Sequence, residues 1–345
     1  MKAIILDQFG GTEHFKLVEL PDPQVKAGEV RIRIACAAFN PVDYKIRLGS
    51  YGGQPPFVLG ADCSGVIDQI GPHVQGFSVG DEVVAMPFGQ TSNGSYAEFV
   101  CLPASFVAKK PKALSFAEGA SFPLVSLTAY RALLAAPILN KGDTLFVAGA
   151  GGGVGNMAVE LAKYVGVSEI VTIARDEKSQ RFLIDKLGLK KEQIVIYEGI
   201  DNKQLIDRVL ACNNGRHFDV SCDLVGGESK ALCMQLTRYS GRFTTIVPEK
   251  EGFELPAWVI GSSTFAKNLT VHFTFVGAES YSGCTEASKI YSIQLAHITE
   301  LVEKKMVRPP PITAMGSFSI DTVRKAHQLL EDGKVKGKLV MDISV

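Results

Sequence analysis

The stretch that most constrains the fold of this chain lies near its middle, at residues 144–163. An apolar run, residues 145–148, is followed by a glycine-rich turn, residues 149–155, and then by apolar residues at helical spacing. A strand, a glycine turn and a helix in this order predict the first half of a dinucleotide-binding unit. A second buried-type strand, predicted at residues 169–174, completes a βαβ pattern and argues against a flexible loop.

The turn has the spacing A-x-G-x-x-G, with small residues at Ala150, Gly152 and Gly155. Gly152 lacks a Cβ, so a pyrophosphate can approach the backbone, and Gly155 lets the helix pack closely on the strand. The first N–H groups of the helix add a partial positive charge. The sequence therefore predicts a cofactor phosphate site at Ala150, Gly151, Gly152, Gly153, Val154 and Gly155.

The end of the second strand is where such units read the cofactor ribose. An acidic residue there would favour NADH through the 2′-hydroxyl, but the position holds Ala174, followed by Arg175. A guanidinium suits a 2′-phosphate, so we expect NADPH. Asp176 keeps NADH open as the alternative, because predicted strand ends are uncertain by a few residues. Val225 follows a later predicted strand and is expected at the same ligand-binding edge.

The rest of the chain predicts two domains of an α/β fold. Residues 1–120 contain short strand-like runs with turn signals, which indicate an antiparallel, barrel-like domain. Residues 121–304 alternate six strands with helices, as in a doubly wound parallel sheet. Residues 305–345 end in a helix and a strand for which that sheet has no place. We therefore expect this tail to return to the first domain.

Composition limits the classes of partner. The 36 basic and 36 acidic side chains cancel, which gives no indication of a nucleic acid or membrane surface as partner. There is no signal-peptide pattern and no apolar run of ~18 residues. The seven cysteines are dispersed without a C-x-x-C pair, as expected of reduced thiols. We expect a cytoplasmic protein with no membrane insertion.

Several short motifs recur in one known family. They are Val58–Val66, Phe77–Val83, Gly94–Phe99, Leu127–Leu133 and Gly337–Val340. Together with the domain order, they resemble the medium-chain dehydrogenase/reductase superfamily over essentially the whole chain. The resemblance implies an N-terminal GroES-like domain and a Rossmann domain.

The same resemblance bears on a catalytic zinc, which needs three Cys, His or acidic ligands. When the chain is aligned with the zinc enzymes of this superfamily, Asn40 takes the position of the first zinc ligand and Ala61 that of the histidine ligand. Asp62 takes a position where those enzymes also have an acidic residue. Cys101 is the only cysteine between residues 64 and 211, where a structural zinc would need four. We therefore expect no metal. The run Asn40–Lys45 resembles the zinc-free quinone oxidoreductases and enone or alkenal reductases.

This branch implies hydride transfer from NADPH to a quinone or an α,β-unsaturated carbonyl. Asn40, Lys45 and Tyr51 would stabilise the oxygen that becomes negative, although Asn40 has the alternative role of a helix cap. By the same resemblance, Thr128 would face the nicotinamide and Lys338 would reach the cofactor phosphates or ribose.

The resemblance also implies a homodimer, formed through the apolar strand at about residues 269–276. Two other functions stay open at this point. One is a non-enzymatic NADPH-binding protein similar to zeta-crystallin. The other is a zinc-dependent alcohol dehydrogenase with unrecognised ligands.

Overall fold

The computed structural model describes residues 1–88, 93–248, 265–282 and 285–343. By its internal contacts the chain divides into two compact units. Unit 1 comprises Met1–Leu127 with Gly277–Val345, and unit 2 comprises Thr128–Val276. These limits differ from the boundaries at 120/121 and 304/305 drawn from the sequence, chiefly because the long helix before residue 304 groups with unit 1.

Along the described residues, the secondary structure runs through unit 1, then through unit 2, and then returns to unit 1. The strands are β1 (Lys2–Leu6), β2 (Phe15–Glu19), β3 (Glu29–Phe39), β4 (Phe57–Val58), β5 (Asp62–Ile70), β6 (Glu82–Ala85), β7 (Phe99–Pro103), β8 (Val107–Lys109), β9 (Thr144–Ala148), β10 (Glu169–Ala174), β11 (Ile194–Ile196), β12 (Phe218–Asp223), β13 (Thr237–Thr245), β14 (Thr270–Phe273), β15 (Ile312–Ser317) and β16 (Lys338–Asp342). The helices are α1 (Pro41–Arg47), α2 (Phe116–Ala120), α3 (Pro123–Tyr130), α4 (Gly153–Val165), α5 (Glu177–Leu187), α6 (Asn202–Ala211), α7 (Glu228–Leu236), α8 (Ala278–Tyr281), α9 (Thr285–Glu303) and α10 (Ile320–Glu331). None of these helices is long and apolar enough to cross a membrane.

Unit 1 is built on two sheets, as the predicted GroES-like domain requires. The smaller has the order β2-β1-β4, and the larger has the order β15-β16-β3-β5-β6-β8, with β7 also paired to β3. Leu339 of β16 lies opposite Phe39 of β3, and Ala38 of β3 lies opposite Asp62 of β5. The end of β3 therefore meets the starts of β5 and β16, and this junction carries one of the candidate sites.

Unit 2 confirms the predicted six-stranded parallel sheet. Its order is β11-β10-β9-β12-β13-β14, and every pair is parallel. The direction of winding reverses between β9 and β12, where sheets of this kind bind ligands at their carboxyl ends. The core behind this edge is apolar and includes the buried rings Phe146, Phe218 and Phe243.

Helix α9 belongs to unit 1, although its sequence was assigned to the cofactor domain. It packs against residues 104–109, and the ring of Tyr291 stacks on Phe106 at 4.9 Å between centroids. Both rings are fully buried. Burial of these two aromatic side chains stabilises the contact. The spacing of apolar residues shows that a helix has a buried face but not what it packs against, so the sequence pattern could not assign the helix to its unit.

A chain of buried polar side chains holds the start of α1. The Asp43 carboxylate accepts hydrogen bonds from the backbone N–H of Asn40 at 2.8 Å and from the Tyr96 hydroxyl at 3.1 Å. The Tyr96 oxygen lies 3.2 Å from Nε2 of His327. All four residues are fully buried. Because Asp43 is the third residue of α1, this chain fixes where Asn40 leaves β3.

Burial shifts the pKa values of Asp43 and His327 in opposite directions. Desolvation raises the pKa of Asp43 from 3.8 to about 7. Desolvation, reinforced by Arg47, lowers the pKa of His327 from 6.5 to about 3. As pH falls from 7 to 5, Asp43 takes up a proton in the folded protein but not in the unfolded protein. This difference raises the free energy of unfolding. Over the same range the unfolded chain protonates its histidine and the folded protein does not, which removes stability.

We predict that single substitutions separate these two opposing effects. Between pH 7 and pH 5, D43N loses about 2 kcal/mol of unfolding free energy relative to the native protein, and H327Q gains about 2 kcal/mol. Urea titrations at the two pH values measure both changes. The control is F15L, because Phe15 packs edge-on against His327 at 4.8 Å and does not titrate. Identical pH dependence in all four proteins would contradict the prediction.

Candidate active site

Three buried polar side chains meet in unit 1 at the junction of β3, β5 and β16. The Lys338 ammonium donates to Oδ1 of Asn40 at 2.5 Å and to Oδ2 of Asp62 at 2.9 Å. The Asn40 amide donates to the same Asp62 oxygen at 2.8 Å. The other Asp62 oxygen accepts the backbone N–H of Leu124 at 2.7 Å. We call Asn40, Asp62 and Lys338 the buried triad.

The charges of the buried triad depend on each other. Burial raises the pKa of Asp62, while the Lys338 ammonium and the hydrogen bonds of Asn40 oppose that rise. Asp62 and Asn40 are fully buried and Lys338 is 3 % exposed. A buried charge without a partner is strongly destabilising, so neither ion of this pair is expected to persist without the other.

The buried triad does not fit a catalytic zinc. The resemblance described above puts Asn40 and Asp62 at zinc-ligand positions, but their oxygens already bind an ammonium group. Ala61, at the histidine position, has no donor atom. No group of three or more His, Cys, Asp or Glu side chains suited to a metal ion occurs among the described residues.

The structure also bears on the alternative role of Asn40 as a helix cap. Asn40 directly precedes α1 in an extended conformation and forms a capping box with Asp43, which accepts the Asn40 backbone N–H at 2.8 Å. The Asn40 amide also binds Asp62 and Lys338, so Asn40 combines the role of a helix cap with a place in the buried triad. Because one amide end accepts from an ammonium and the other donates to a carboxylate, the orientation of the amide is unambiguous.

Lys45 and Tyr51 lie in the same unit, on α1 and just beyond it. Lys45 is partly buried, and no hydrogen bond or ion pair engages its ammonium among the described residues. Burial, with smaller effects of Tyr281 and Tyr44, raises the pKa of Tyr51, so its hydroxyl stays protonated and can donate at neutral pH. Tyr281 was not predicted from the sequence. The centroid of its ring lies 6.3 Å from that of Phe88. Both rings are candidates for lining the site that would bind the substrate.

Unit 2 carries the glycine turn where it was predicted. Helix α4 begins at Gly153, and Gly152 precedes it in an extended conformation. A Cβ added to Gly155 would lie 2.5 Å from the Cα of Ala150, so no larger residue fits there. A Cβ added to Gly151 would meet no atom within 4 Å. The turn is therefore packed tightly against its helix and open on its outer side, which fits a pyrophosphate.

The carboxyl end of β10 holds Arg175 and Asp176 in different roles. The Arg175 side chain is 66 % exposed, with its Nε 3.3 Å from Asp176. Asp176 caps α5 by accepting the N–H and hydroxyl of Ser179, and these hydrogen bonds lower the pKa of Asp176 to about 2. Tyr197 lies at the same edge and is a further candidate for contact with the cofactor. Its backbone N–H donates to the Ala174 carbonyl at 3.0 Å.

The other predicted cofactor residues are placed as follows. Val225 lies on the turn after β12 and is 58 % exposed. Thr128 is buried on α3. Lys338, which we assigned to the cofactor from the sequence, has its ammonium in the buried triad of unit 1, and its contact with the cofactor stays a prediction. The structure thus brings Lys338 together with Asn40, which sequence spacing did not suggest.

Comparisons with known proteins agree with this architecture. Residues 26–112 match the profile described as "Alcohol dehydrogenase GroES-like domain", and residues 196–341 match "Zinc-binding dehydrogenase". The zinc in the second description is not matched by a suitable donor set at the buried triad.

Full-length relatives cover nearly all of the chain. A tomato 2-methylene-furan-3-one reductase is 32 % identical over 99 % of this chain and 79 % of its own length. The human synaptic vesicle membrane protein VAT-1 homolog-like is 36 % identical, over 99 % and 81 % respectively. Human quinone oxidoreductase is 27 % identical, over 99 % and 97 %.

A solved structure gives the same fold. A mycobacterial protein crystallised with NADPH is 25 % identical, covers 99 % of this chain and 100 % of its own, and superposes with a TM-score of 0.83. The glycine turn of unit 2, the GroES-like unit 1 and relatives above 30 % identity along the whole chain lead to one conclusion: this protein belongs to the medium-chain dehydrogenase/reductase superfamily and is an oxidoreductase by homology.

Proposed function

We propose that this protein transfers hydride from NADPH to a quinone or an α,β-unsaturated carbonyl, without zinc. The observation that carries the proposal is the Lys338 ammonium, bound by the two oxygens that stand at metal-ligand positions. Reaction classes that rely on zinc to polarise an alcohol are disfavoured by this donor set. The names of two relatives, a 2-methylene-furan-3-one reductase and a quinone oxidoreductase, support the acceptor class.

In this proposal the residues of unit 2 bind and orient the cofactor. The backbone N–H groups at the start of α4 hold the pyrophosphate, because they are unsatisfied within the helix and carry its positive end. Thr128 and Val225 contact the nicotinamide half. The reduced nicotinamide supplies the hydride, so unit 2 needs no acid or base of its own.

The residues of unit 1 bind the acceptor and stabilise the charge that develops on it. When hydride bonds to the β-carbon of an enone, the C=C electron pair moves and the carbonyl oxygen becomes an enolate. The Lys45 ammonium and the Tyr51 hydroxyl are the donors that we assign to this oxygen. The Asn40 amide is fully buried, and we assign it the field of a dipole that Asp62 and Lys338 orient. Solvent then protonates the α-carbon. With a quinone, the same hydride and one proton yield the hydroquinone.

The preference for NADPH over NADH rests on the end of β10. The Asp176 carboxylate is engaged by Ser179 and is unsuited to bind a ribose hydroxyl. Arg175, by contrast, is exposed at the position where a 2′-phosphate would lie. A guanidinium is always charged and binds phosphate through two parallel hydrogen bonds.

We also propose a homodimer formed through β14. Among the described strands β14 is the last of the unit 2 sheet on its side. Phe273 of β14 is 64 % exposed, and Phe265 before the strand and Phe275 after it are 71 % and 40 % exposed. An apolar edge strand is a site of association unless it is covered, and a second copy of the same edge would cover it.

The proposed activity predicts oxidation of NADPH, followed at 340 nm, with a quinone or a cyclic enone but not with a simple ketone. A chelator should leave the rate unchanged. We expect R175A to reduce kcat/KM for NADPH about tenfold and to leave that for NADH nearly unchanged, because only NADPH carries the 2′-phosphate. K178A, on the neighbouring turn of α5, is the control. Turnover of the ketone alone, abolished by chelator, would overturn the proposal, and NADPH binding without turnover would favour the binding-protein alternative.

The buried triad predicts that stability and activity respond differently to loss of its charges. K338M should cost about 3 kcal/mol of unfolding free energy, because Asp62 is left as a buried charge without a partner. The double variant K338M/D62N should recover most of that loss, since both charges are removed, yet keep kcat about tenfold below the native value because Asn40 is no longer oriented. Urea unfolding and initial rates at saturating NADPH measure the two effects. Full activity in the double variant would exclude this role for Lys338.

The proposed dimer predicts that F273D dissociates the protein to monomers at micromolar concentration, since a charge buried in an apolar interface costs several kcal/mol. Sedimentation velocity measures the change. I293D is the matched control, because Ile293 is 65 % exposed but lies on α9 in unit 1. A native protein that sediments as a monomer, or equal dissociation of both variants, would refute the β14 interface.

A further inference from the structure

The carboxyl ends of β12 and β13 are joined by a buried carboxylate that the mechanism above does not use. Oδ1 of Asp223 accepts the backbone N–H groups of Val225 at 3.1 Å and Gly226 at 2.9 Å. Oδ2 of Asp223 accepts the hydroxyl of Thr245 at 2.9 Å. Asp223 is fully buried and Thr245 is 1 % exposed. One side chain thus binds the turn that follows its own strand and the end of the next strand.

The contacts continue into the turn after β13. The Thr245 oxygen accepts the backbone N–H of Val247 at 3.3 Å, and the Val247 carbonyl accepts the Lys230 ammonium at 2.8 Å. Lys230 lies in the first turn of α7 and is 1 % exposed. The Thr245 hydroxyl therefore donates to the carboxylate that binds the first turn and accepts from the backbone of the second. A backbone hydrogen bond from Ile246 N–H to the Asp223 carbonyl at 3.3 Å is a second link between the ends of these strands.

The backbone of the first turn depends on these contacts for its shape. Gly226 and Gly227 both have positive φ, at 88° and 58°. Glycine visits many conformations in the unfolded chain and has no side chain to hold it in one. The two N–H groups that donate to Asp223 stabilise the observed conformation. The turn also packs against the glycine-rich turn after β9, where a Cβ on Gly149 would lie 2.9 Å from a Val225 methyl.

The position of these turns in the sheet relates them to one half of the cofactor. The phosphate turn follows β9, and the ribose position with Arg175 follows β10, on one side of it. A dinucleotide that crosses the sheet at the switch point must extend its other half over the ends of β12 and β13. This step rests on the proposed use of NADPH.

We infer that Asp223 and Thr245 are positioning residues for the nicotinamide half of the cofactor. They act through the backbone of residues 224–227 and 246–248, because their hydrogen bonds fix the conformation of these two turns. Neither side chain needs to touch the cofactor, since both are buried beneath the turns. Loss of the shared hydroxyl should therefore weaken binding of the nicotinamide half and leave the phosphate and adenosine contacts intact.

The test compares T245V, which removes the hydroxyl, with T245S, which keeps it. The ligands are NADPH and 2′-phospho-ADP-ribose, which has the phosphates and adenosine but no nicotinamide. We expect T245V to raise Kd for NADPH about tenfold, the loss expected for one buried hydrogen bond, and to change Kd for the fragment less than about twofold. T245S should match the native protein with both ligands. Calorimetric titration of the native protein and both variants with both ligands gives the six constants.

A second variant, D223N, keeps an acceptor for Val225 and Gly226 but removes the carboxylate oxygen that Thr245 binds. It should show the same selective loss, and thermal unfolding checks that each variant is folded. Equal weakening of NADPH and the fragment, or unchanged NADPH binding in both T245V and D223N, would overturn the inference. A native protein that binds the fragment and NADPH but transfers no hydride would instead contradict the proposed function while leaving this inference standing.

Discussion

The buried ion pair between Lys338 and Asp62 is the interaction on which the candidate site of unit 1 depends. It joins the start of the last strand to the start of β5, 276 residues apart in sequence, and both side chains are bound to Asn40 at the end of β3. Two ions leave water to form this pair, which costs several kcal/mol each unless the geometry and hydrogen bonds compensate. Here every oxygen of Asp62 is hydrogen-bonded. The pair therefore cross-links three strand ends as a metal ion would.

The candidate site of unit 2 depends on backbone geometry, and for this reason it was predictable. The small residues at Ala150, Gly152 and Gly155 occur within six positions, and the helix follows directly. The physical requirements of a phosphate turn are local: a close approach of backbone, a tight contact between helix and strand, and unsatisfied N–H groups. A local requirement leaves a local pattern, and the structure confirms the six-stranded parallel sheet that this pattern implied.

The buried triad was not predictable in the same way. Asn40 and Asp62 were recognised by their positions, but nothing in the sequence identifies Lys338 as the partner of both. The pairing appears only when β16 aligns beside β3, with Leu339 opposite Phe39. Strand β15 was missed because its sequence follows three prolines and lies largely exposed. The sequence placed helix α9 in the cofactor domain, whereas it groups with unit 1 by its contacts, and its packing on Phe106 leaves no local sequence pattern.

The neutrality of the buried triad has a consequence for how unit 1 would stabilise an enolate. The ammonium of Lys338 and the carboxylate of Asp62 lie 2.9 Å apart, so at the distance of a substrate their fields largely cancel. The triad then contributes an oriented amide dipole and not a net charge. Lys45 has no ion-pair partner among the described residues and is partly shielded from water. In our proposal Lys45 therefore supplies the positive charge. A zinc-free site of this construction would divide the role of a metal ion between two lysines, one that fixes the geometry and one that supplies the charge.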